Sequence, residues 1–289
     1  QTFTDNVSKS FYKLANKLEI NNTDFIRTTE NRHKESVKHL WNKLEDKGYI
    51  YLDKYSGWYS IKDEAFYSND EVTENNKGIK IAPNGSEVEW VEEPSYFFNL
   101  SSWQEKLLKF YNDNPEFISP RSRYNEVLSF VNNGLEDLSI SRTTFNWGIQ
   151  VPKNNDHIIY VWLDALTNYI SALGYPNKDS RDWKSFWPAD IHVVGKDILR
   201  FHAVYWPAFL MAADIAVPKK IYAHGWWTVD GKKMSKSTGN VVDPNYIIDK
   251  YGLDQFKYFL LREVRFGQDG DFSEEALIKR VNSDLSNDY

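Results

Sequence analysis

Two stretches decide the fold: IHVVGKD at residues 191–197 and IYAHGWW at residues 221–227. Each opens with a short apolar run, and a helical pattern follows the first of them. Apolar runs of this length are typical of strands buried on both faces, and such strands alternating with helices indicate a parallel sheet. A third run, at residues 158–163, passes through Asp164 into helical spacing and is predicted to be another strand. We therefore predict an α/β fold with a doubly wound parallel sheet.

The carboxyl ends of these strands are where we expect a ligand, because sheets of this kind bind ligands in the crevice beyond those ends. The ends correspond to residues 162–165, 195–197 and 224–236. The candidate site is therefore predicted to combine three segments that are distant along the chain.

The remainder of the chain is divided by its pattern. Residues 1–48 contain two runs with helical spacing, and Gly48 is placed to end the second run. Residues 49–118 begin with short aromatic and β-branched pieces that are separated by turns. This texture predicts a compact β-rich insertion.

Composition excludes several classes of protein. The 289 residues include 35 Lys and Arg against 41 Asp and Glu, a net charge of −6, so a nucleic acid could be held only by local basic patches. Cysteine is absent, which excludes disulfides, thiol nucleophiles and cysteine-ligated zinc and favours an intracellular protein. No apolar run approaches the roughly 18 residues of a membrane-spanning helix. The isolated histidines lack metal-ligand spacing and are predicted to be structural or exposed; they are His33, His39, His157 and His192.

A lysine-rich loop follows the strand predicted at residues 221–227. It runs from Lys232 through KMSKS at residues 233–237 to Thr238, Gly239 and Asn240. Most such loops are solvated turns, but a position just after a buried strand favours a polyphosphate ligand. The spacing of glycines is not that of a P-loop.

The helix predicted to open at Asp197 carries an apolar and aromatic stripe on one face, with the members Ile198, Phe201, His202, Tyr205, Trp206 and Phe209. Pro207 lies within this helix and should kink it and free a carbonyl group. The stripe is consistent with a hydrophobic core that contains one hydrogen-bonded histidine. It also fits a pocket wall, in which Ile198 and His202 face a ligand and Asp197 accepts from ribose hydroxyls or an ammonium.

Aromatic residues could form a cup for an unbranched apolar side chain. Trp162 lies beside Asp164, and Tyr169 and His202 are predicted to lie near it. A thioether suits such a cup because sulfur makes favourable contacts with aromatic rings. Simple packing of a strand against a helix explains Trp162 and Tyr169 equally well at this stage.

These residues make the sequence resemble the methionyl-tRNA synthetases of the bacterial or organellar type, which are class I aminoacyl-tRNA synthetases. The resemblance covers residues 1–289. KMSKS alone would fit any class I synthetase, whereas Trp162 and residues 195–202 indicate methionine. The motifs that carry it are DFIRTTE (24–30), RHK (32–34), GWY (57–59), DEAFY (63–67), EPSYFF (93–98), SISR (139–142), VWLDA (161–165), GKDI (195–198), FH (201–202), HG (224–225), KMSKS and RFGQDGDF (265–272).

The resemblance implies a methionine–tRNA ligase. Such an enzyme activates L-methionine with ATP to methionyl-adenylate and transfers the methionyl group to the 3′ end of tRNA(Met), including the initiator. ATP with Mg²⁺ is then a substrate, and we expect a cytoplasmic or organellar monomer without a membrane partner. The resemblance also assigns residues 1–48 to the end of the first half of the catalytic domain and 49–118 to the connective insertion. Residues 119–247 become the second half, and 248–289 the stem-contact region before a helical anticodon-binding domain.

Individual roles follow from the same resemblance. Lys236 would stabilise the triphosphate, with Lys233, Ser235 and Ser237 shaping the loop, and Arg142 matches a functional arginine. Other members of the ATP site would be Gly195 and Asp197 at the ribose and His224, Thr228 and Val229 at the adenine. The methionine pocket would be lined by Trp162, Ala165, Tyr169, Ile198 and His202.

Two features depart from the family pattern. The HIGH tetrapeptide occurs nowhere in the sequence, so we expect a piece that lacks the part containing it and is inactive alone. The matching zinc segment, residues 55–72, has no cysteine, and we predict no zinc. Another class I synthetase, a nucleotidyltransferase with a KMSKS loop, and an incomplete adenylate-binding or RNA-binding fragment stay open as alternatives.

Overall fold

The computed structural model describes residues 1–60, 65–67, 69, 71–234 and 239–287. Its α-helices are α1 (Thr2–Lys17), α2 (Asn31–Asp46), α3 (Gln104–Asp113), α4 (Arg121–Asn132), α5 (Val161–Leu166), α6 (Asn168–Ser171), α7 (Arg181–Phe186), α8 (Trp206–Ala212), α9 (Pro244–Tyr251), α10 (Leu253–Arg262) and α11 (Glu274–Arg280). Short 3₁₀ turns lie at Ser101–Trp103 and Lys196–Ile198, and π-helical turns at Phe201–Tyr205 and Val281–Asn287.

The strands are grouped into small sheets. They are β1 (Ile50–Ser60), β2 (Ala65–Tyr67), β3 (Thr73–Glu74), β4 (Lys80–Ile81), β5 (Glu89–Phe98), β6 (Ile118–Ser119), β7 (Leu138–Ser139), β8 (Ser141–Arg142), β9 (Gln150–Val151), β10 (Asn154–Ile159), β11 (His192–Gly195), β12 (Ile221–His224), β13 (Trp227–Val229), β14 (Lys232–Lys233) and β15 (Gly270–Asp271).

The parallel sheet has the order β11-β12-β6. Its pairing runs from His192 opposite Ile221 to Gly195 opposite His224, so two predicted strand ends lie side by side. The main hydrophobic core packs around this sheet, and a second, smaller core lies among α9, α10 and α11. Strands were expected at both positions, although the second strand ends at His224 and a separate strand begins at Trp227.

The prediction for residues 158–163 was wrong in its placement. Strand β10 ends at Ile159 and pairs antiparallel with β8 and β9, outside the parallel sheet. Tyr160 is extended, and helix α5 then begins at Val161. A continuous apolar run cannot distinguish a strand from the first turn of a buried helix, and here it contains both.

The predicted β-rich insertion is built on one long antiparallel pair. Strands β1 and β5 pair from Ile50 opposite Phe98 to Tyr59 opposite Glu89. The two helices expected before it are α1 and α2, and Gly48 follows α2 with φ of 74° and donates its N–H to the carbonyl of Glu45. Among the helices that the structure describes, none combines the length and the apolar character needed to cross a bilayer.

Pro207 frees a carbonyl group in its segment, as predicted. The segment opens with a 3₁₀ turn that contains Asp197, which is therefore not the N-cap expected from sequence, and continues as a π-helical turn before α8 begins at Trp206. Proline has no N–H, so it cannot donate to the carbonyl of Ala203, four residues earlier. The buried hydroxyl of Tyr111 donates to this carbonyl instead, at 2.7 Å. Helix α3 thus satisfies the carbonyl that Pro207 frees.

We predict that Tyr111→Phe in the full-length protein lowers the free energy of unfolding by about 1 kcal/mol, because it removes the hydrogen bond that the Tyr111 hydroxyl donates to the buried Ala203 carbonyl. Urea unfolding followed by tryptophan fluorescence measures this loss. Tyr246→Phe is the control, because Tyr246 is exposed and such changes usually cost less than about 0.5 kcal/mol. Equal unfolding midpoints for the two variants would contradict the assignment.

Candidate functional site

The two neighbouring strand ends form the floor of the candidate site. A Cβ atom on Gly195 would lie 2.6 Å from Oδ1 of Asp197, so only glycine fits while that carboxylate keeps its place. The ring of His224 lies beside Gly195, and its Nδ1–H donates to the carbonyl of Gly225 at 2.8 Å, since a carbonyl oxygen can only accept. In the neutral ring, Nε2 of His224 is then an acceptor.

Trp226 connects the strand ends to the lysine loop. Its indole N–H donates to Oδ1 of Asp197 at 3.3 Å. Nζ of Lys196 lies 4.1 Å from one of its ring centroids, and Nζ of Lys233 lies 4.2 Å from a centroid. Asp269 accepts from the backbone N–H of Trp226 at 2.9 Å and from Lys196 at 2.6 Å. Two cations and the proposed ribose-binding carboxylate therefore share one aromatic side chain.

Trp226 and Asp269 have no role predicted from the sequence. Both lie in quoted motifs or directly beside one: Trp226 follows HG, and Asp269 belongs to RFGQDGDF. Their partners are separated from them by up to 73 residues along the chain, so composition and periodicity gave no signal that they meet.

The segment before the lysine loop is anchored by a small sheet. Strand β13 pairs antiparallel with β14, with Thr228 opposite Lys233 and Val229 opposite Lys232, and parallel with β15. The hydroxyl of Thr228 donates to Asp271 at 2.6 Å, and the N–H of Gly231 donates to the same oxygen at 2.9 Å. These bonds hold the pKa of Asp271 below its usual value. Ser235, Lys236 and Ser237 lie outside the described residues.

A cavity of about 390 Å³ opens beside the strand ends, and its lining includes Lys196, Asp197, Phe201 and Trp226. The ring of Phe201 stacks on Trp162 with a centroid distance of 3.4 Å and an interplanar angle of 10°. Phe201 appeared in the predicted stripe and was not assigned to the pocket. It lies between the polar strand ends and the aromatic cup.

The predicted cup is partly assembled as expected. The hydroxyl of Tyr169 donates to Nε2 of His202 at 2.8 Å, and Nδ1–H of His202 donates to the carbonyl of Ile198 at 2.9 Å. Burial lowers the pKa of His202, so the ring is neutral at physiological pH. Trp162 contacts Phe201 rather than closing directly on His202, and the half-buried Ala165 follows in the same short helix.

His192 stands behind this cup. Its ring stacks on Tyr169 with a centroid distance of 4.0 Å, and Nε2 is buried with no hydrogen-bond partner among the described residues. Burial, helped by neighbouring His202, lowers the pKa of His192 to about 3. The pocket wall thus contains two neutral imidazoles with Tyr169 in contact with both.

Arg142 lies in a buried network beside strands β5 and β7. Its guanidinium donates to Oγ of Ser139 at 2.5 Å and to the carbonyl of Ser141 at 2.7 Å, and it packs over the ring of Tyr160 at 3.9 Å. Nε of Arg142 is 3.6 Å from the buried Glu93, an ion-pair distance too long for a hydrogen bond. Tyr160 directly precedes the helix of Trp162, and through it Arg142 contacts the site. Its catalytic role stays a prediction.

The described residues form no cluster of metal ligands. No group of three or more His, Cys, Asp or Glu is arranged there to hold a metal ion. Part of residues 55–72 lies outside the described residues, and the absence of zinc stays a prediction.

We predict that acid destabilises the protein partly through His192. Below pH 6.5 the unfolded chain binds a proton at this residue and the folded chain does not until about pH 3. The neutral ring therefore makes its full contribution to the free energy of unfolding above pH 6.5. Below that pH the contribution falls by up to about 1.4 kcal/mol per pH unit. His192→Phe keeps a stacked ring but removes the titrating group. The free energy of unfolding of this variant, measured with urea, should therefore depend less on pH between 6.5 and 4.5. Parallel pH profiles for wild type and variant would refute this role.

Comparison with known proteins gives the family. The family model described as "tRNA synthetases class I (M)" matches residues 1–289. The Methionine--tRNA ligase of Rickettsia felis is 63% identical over 287 residues, which are 99% of this chain and 55% of the relative. That of Rhizobium meliloti is 55% identical over 280 residues, 97% of this chain and 54% of the relative.

Solved structures agree with this match. The structure of Mycobacterium tuberculosis methionyl-tRNA synthetase in complex with methionyl-adenylate matches with a TM-score of 0.92 and 53% identity. The match covers 97% of this chain and 55% of the Mycobacterium tuberculosis chain. The chain therefore spans about half the length of the relatives it matches. The predicted catalytic fold and the family resemblance are confirmed: the chain belongs to the class I tRNA synthetases of the methionyl group.

Proposed function

We propose that the full-length protein is a methionine–tRNA ligase. It activates L-methionine with ATP and transfers the methionyl group to the 3′ end of tRNA(Met), including the initiator. The observation that carries this proposal is that one short segment, residues 195–202, contributes to both the polar strand ends and the aromatic cup. The names of the relatives and the methionyl-adenylate bound by the Mycobacterium tuberculosis enzyme support the same substrate.

The first reaction step joins a carboxylate to a phosphate. A carboxylate oxygen of methionine attacks the α-phosphorus of ATP, the bond from this phosphorus to the bridging oxygen breaks, and pyrophosphate leaves. The α-carboxyl group, with a pKa of about 3.5, is already ionised at neutral pH, so this step needs no general base. In the second step a ribose hydroxyl of the terminal nucleotide attacks the carbonyl carbon, and AMP leaves. Catalysis of the first step is positioning and charge neutralisation.

The nucleotide would be held at the strand ends. Gly195 allows close approach, and Asp197 has the capacity to accept from the ribose hydroxyls while Trp226 donates to its Oδ1. The adenine would lie against His224 and the backbone of Thr228 and Val229. ATP would enter with its Mg²⁺ as a joint substrate.

The phosphates of ATP would be bound by the lysine loop. We assign the leaving pyrophosphate to Lys236, with Lys233, Ser235 and Ser237 shaping the loop, and keep Arg142 as a further functional arginine. Lys233 and Lys196 both contact the ring of Trp226. This arrangement supports a role for Lys233 in aligning the loop.

The methionine side chain would lie in the cup of Trp162, Ala165, Tyr169, Ile198 and His202. The ring of His202 is neutral, and both of its nitrogens are engaged, by Tyr169 and by the carbonyl of Ile198. The wall therefore offers aromatic surface without a charge, which suits a thioether.

The remaining assignments belong to the whole protein. We propose a cytoplasmic monomer whose tRNA is bound by local basic patches, because the net charge of this chain is −6. We keep the four-part division of the chain: residues 1–48, 49–118, 119–247 and 248–289.

We predict that Lys236→Ala slows methionine-dependent ATP–pyrophosphate exchange by the full-length protein about 10- to 100-fold. A charge-assisted bond to phosphate is worth roughly 1.5–3 kcal/mol, and each 1.4 kcal/mol is about tenfold in rate. Lys232→Ala is the matched control, because Lys232 is an exposed lysine of the adjoining strand, and its rate should stay within about twofold of wild type. Equal rates for the two variants would contradict the assignment of the loop. Exchange that depends on leucine or valine instead of methionine would contradict methionine as the substrate.

We predict that Trp226→Leu raises the KM for ATP about three- to tenfold and leaves the KM for methionine unchanged. Each cation–π contact is worth about 0.5–2 kcal/mol, and this change removes the contacts to Lys196 and Lys233. Trp226→Phe keeps a ring and should have a smaller effect in the same exchange assay. Trp90→Leu, at an exposed tryptophan of β5, is the control; an ATP KM that matches this control would rule out the role.

A further inference from the structure

His33 occupies a buried position outside the site described above. It lies in the first turn of α2, and its side chain is fully buried. Its Nε2 lies 2.6 Å from Oδ1 of Asp164, and its Nδ1 lies 2.9 Å from Oγ of Ser171. A carboxylate only accepts, so Nε2 carries the proton of the first bond. One imidazole on α2 thus contacts both α5 and α6. Its partners Asp164 and Ser171 lie 131 and 138 residues further along the chain.

The three side chains follow the order of an acid–base–nucleophile triad, but they cannot act as one. The side chain of Ser171 is fully buried, and its hydroxyl also lies 3.1 Å from the carbonyl of Asn168. An acyl substrate has no path to that oxygen. The contacts of His33 therefore hold the fold in place, and what matters is which elements they hold.

Both partners of His33 lie on the short helices that carry the proposed methionine cup. Asp164 is in α5, next to Ala165 and two residues after Trp162. Ser171 is in α6, two residues after Tyr169. Helices of this length are not stable through their own hydrogen bonds, because helix nucleation is unfavourable. Contacts with the rest of the protein must fix their directions.

We propose that His33 is a positioning residue for the methionine pocket, an inference that rests on the proposed function. Through Asp164 it fixes the helix of Trp162, and through Ser171 it fixes the helix of Tyr169. The polar strand ends at Gly195 and His224 are not among its contacts. The loss of His33 therefore affects methionine binding and spares ATP binding.

The experiment compares His33→Ala with wild type in ATP–pyrophosphate exchange by the full-length protein. We expect the KM for methionine to rise about tenfold, and the KM for ATP and kcat to change less than about threefold, because a displaced pocket wall weakens ground-state binding of one substrate. Ser36→Ala is the matched control. Ser36 lies one turn further along α2, is equally buried and donates to the carbonyl of Tyr175, so it tests general loosening of the helix.

Two conservative variants separate the two bonds. A glutamine amide reaches the position of Nε2 and keeps the bond to Asp164, whereas an asparagine amide reaches that of Nδ1 and keeps the bond to Ser171. The bond to a carboxylate is the stronger one. We therefore expect His33→Gln to restore the methionine KM to within about threefold of wild type, and His33→Asn to resemble His33→Ala. Ser171→Ala, which leaves the Asp164 bond intact, should raise this KM only about two- to threefold and serves if His33→Ala does not fold.

The results separate the inference from the function on which it rests. No methionine-dependent exchange by wild type means that the proposed function is wrong. Exchange by wild type with a methionine KM in His33→Ala equal to that of Ser36→Ala overturns the positioning role. A proportional rise in both KM values, or no rescue by glutamine relative to asparagine, also overturns it.

Discussion

The parallel pairing of β11 with β12 is the constraint on which the rest of the site depends. It sets Gly195 opposite His224. The segments that follow the two strands therefore leave the sheet at the same edge. The connection after Gly195 includes the 3₁₀ turn, the π-helical turn and α8, whose buried side chains belong to the main core. The rim at Asp197 and the wall at His202 are consecutive parts of that connection, so their spacing is set by the backbone rather than by flexible side chains.

Charge is concentrated at this edge by specific partners. The chain as a whole is acidic, with a net charge of −6. Lys196 is held between the ring of Trp226 and the carboxylate of Asp269, and Lys233 rests on the same ring. An aromatic face attracts a cation without neutralising it. The ring therefore positions both ammonium groups without pairing with either charge, while Asp269 forms an ion pair with Lys196.

Sequence predicted the features that depend on neighbours along the chain. The strands at His192 and Ile221, the end of the second helix near Gly48 and the carbonyl freed by Pro207 all follow from local pattern and backbone chemistry. The antiparallel placement of β10 was missed because an apolar run carries no information about its partner.

The contacts of Trp226 and His33 were missed for a related reason. Each joins residues that only the folded chain brings together, and an isolated histidine or tryptophan in a sequence has no periodicity to reveal its partners. His33 was expected to be structural or exposed; it is fully buried, and Asp164 lies 131 residues away from it. Long-range polar contacts are therefore what the structure adds to the sequence.

The direction of one hydrogen bond determines the chemistry of the proposed methionine wall. The carbonyl of Ile198 can only accept, so Nδ1 of His202 carries the proton and Nε2 must accept from Tyr169. The single proton of that hydroxyl is then engaged. Burial disfavours the charged form of His202, and also that of His192, whose ring stacks on Tyr169. A pocket wall so arranged favours a soft, uncharged side chain, because a charged side chain would lose its hydration and gain no opposite charge from either imidazole.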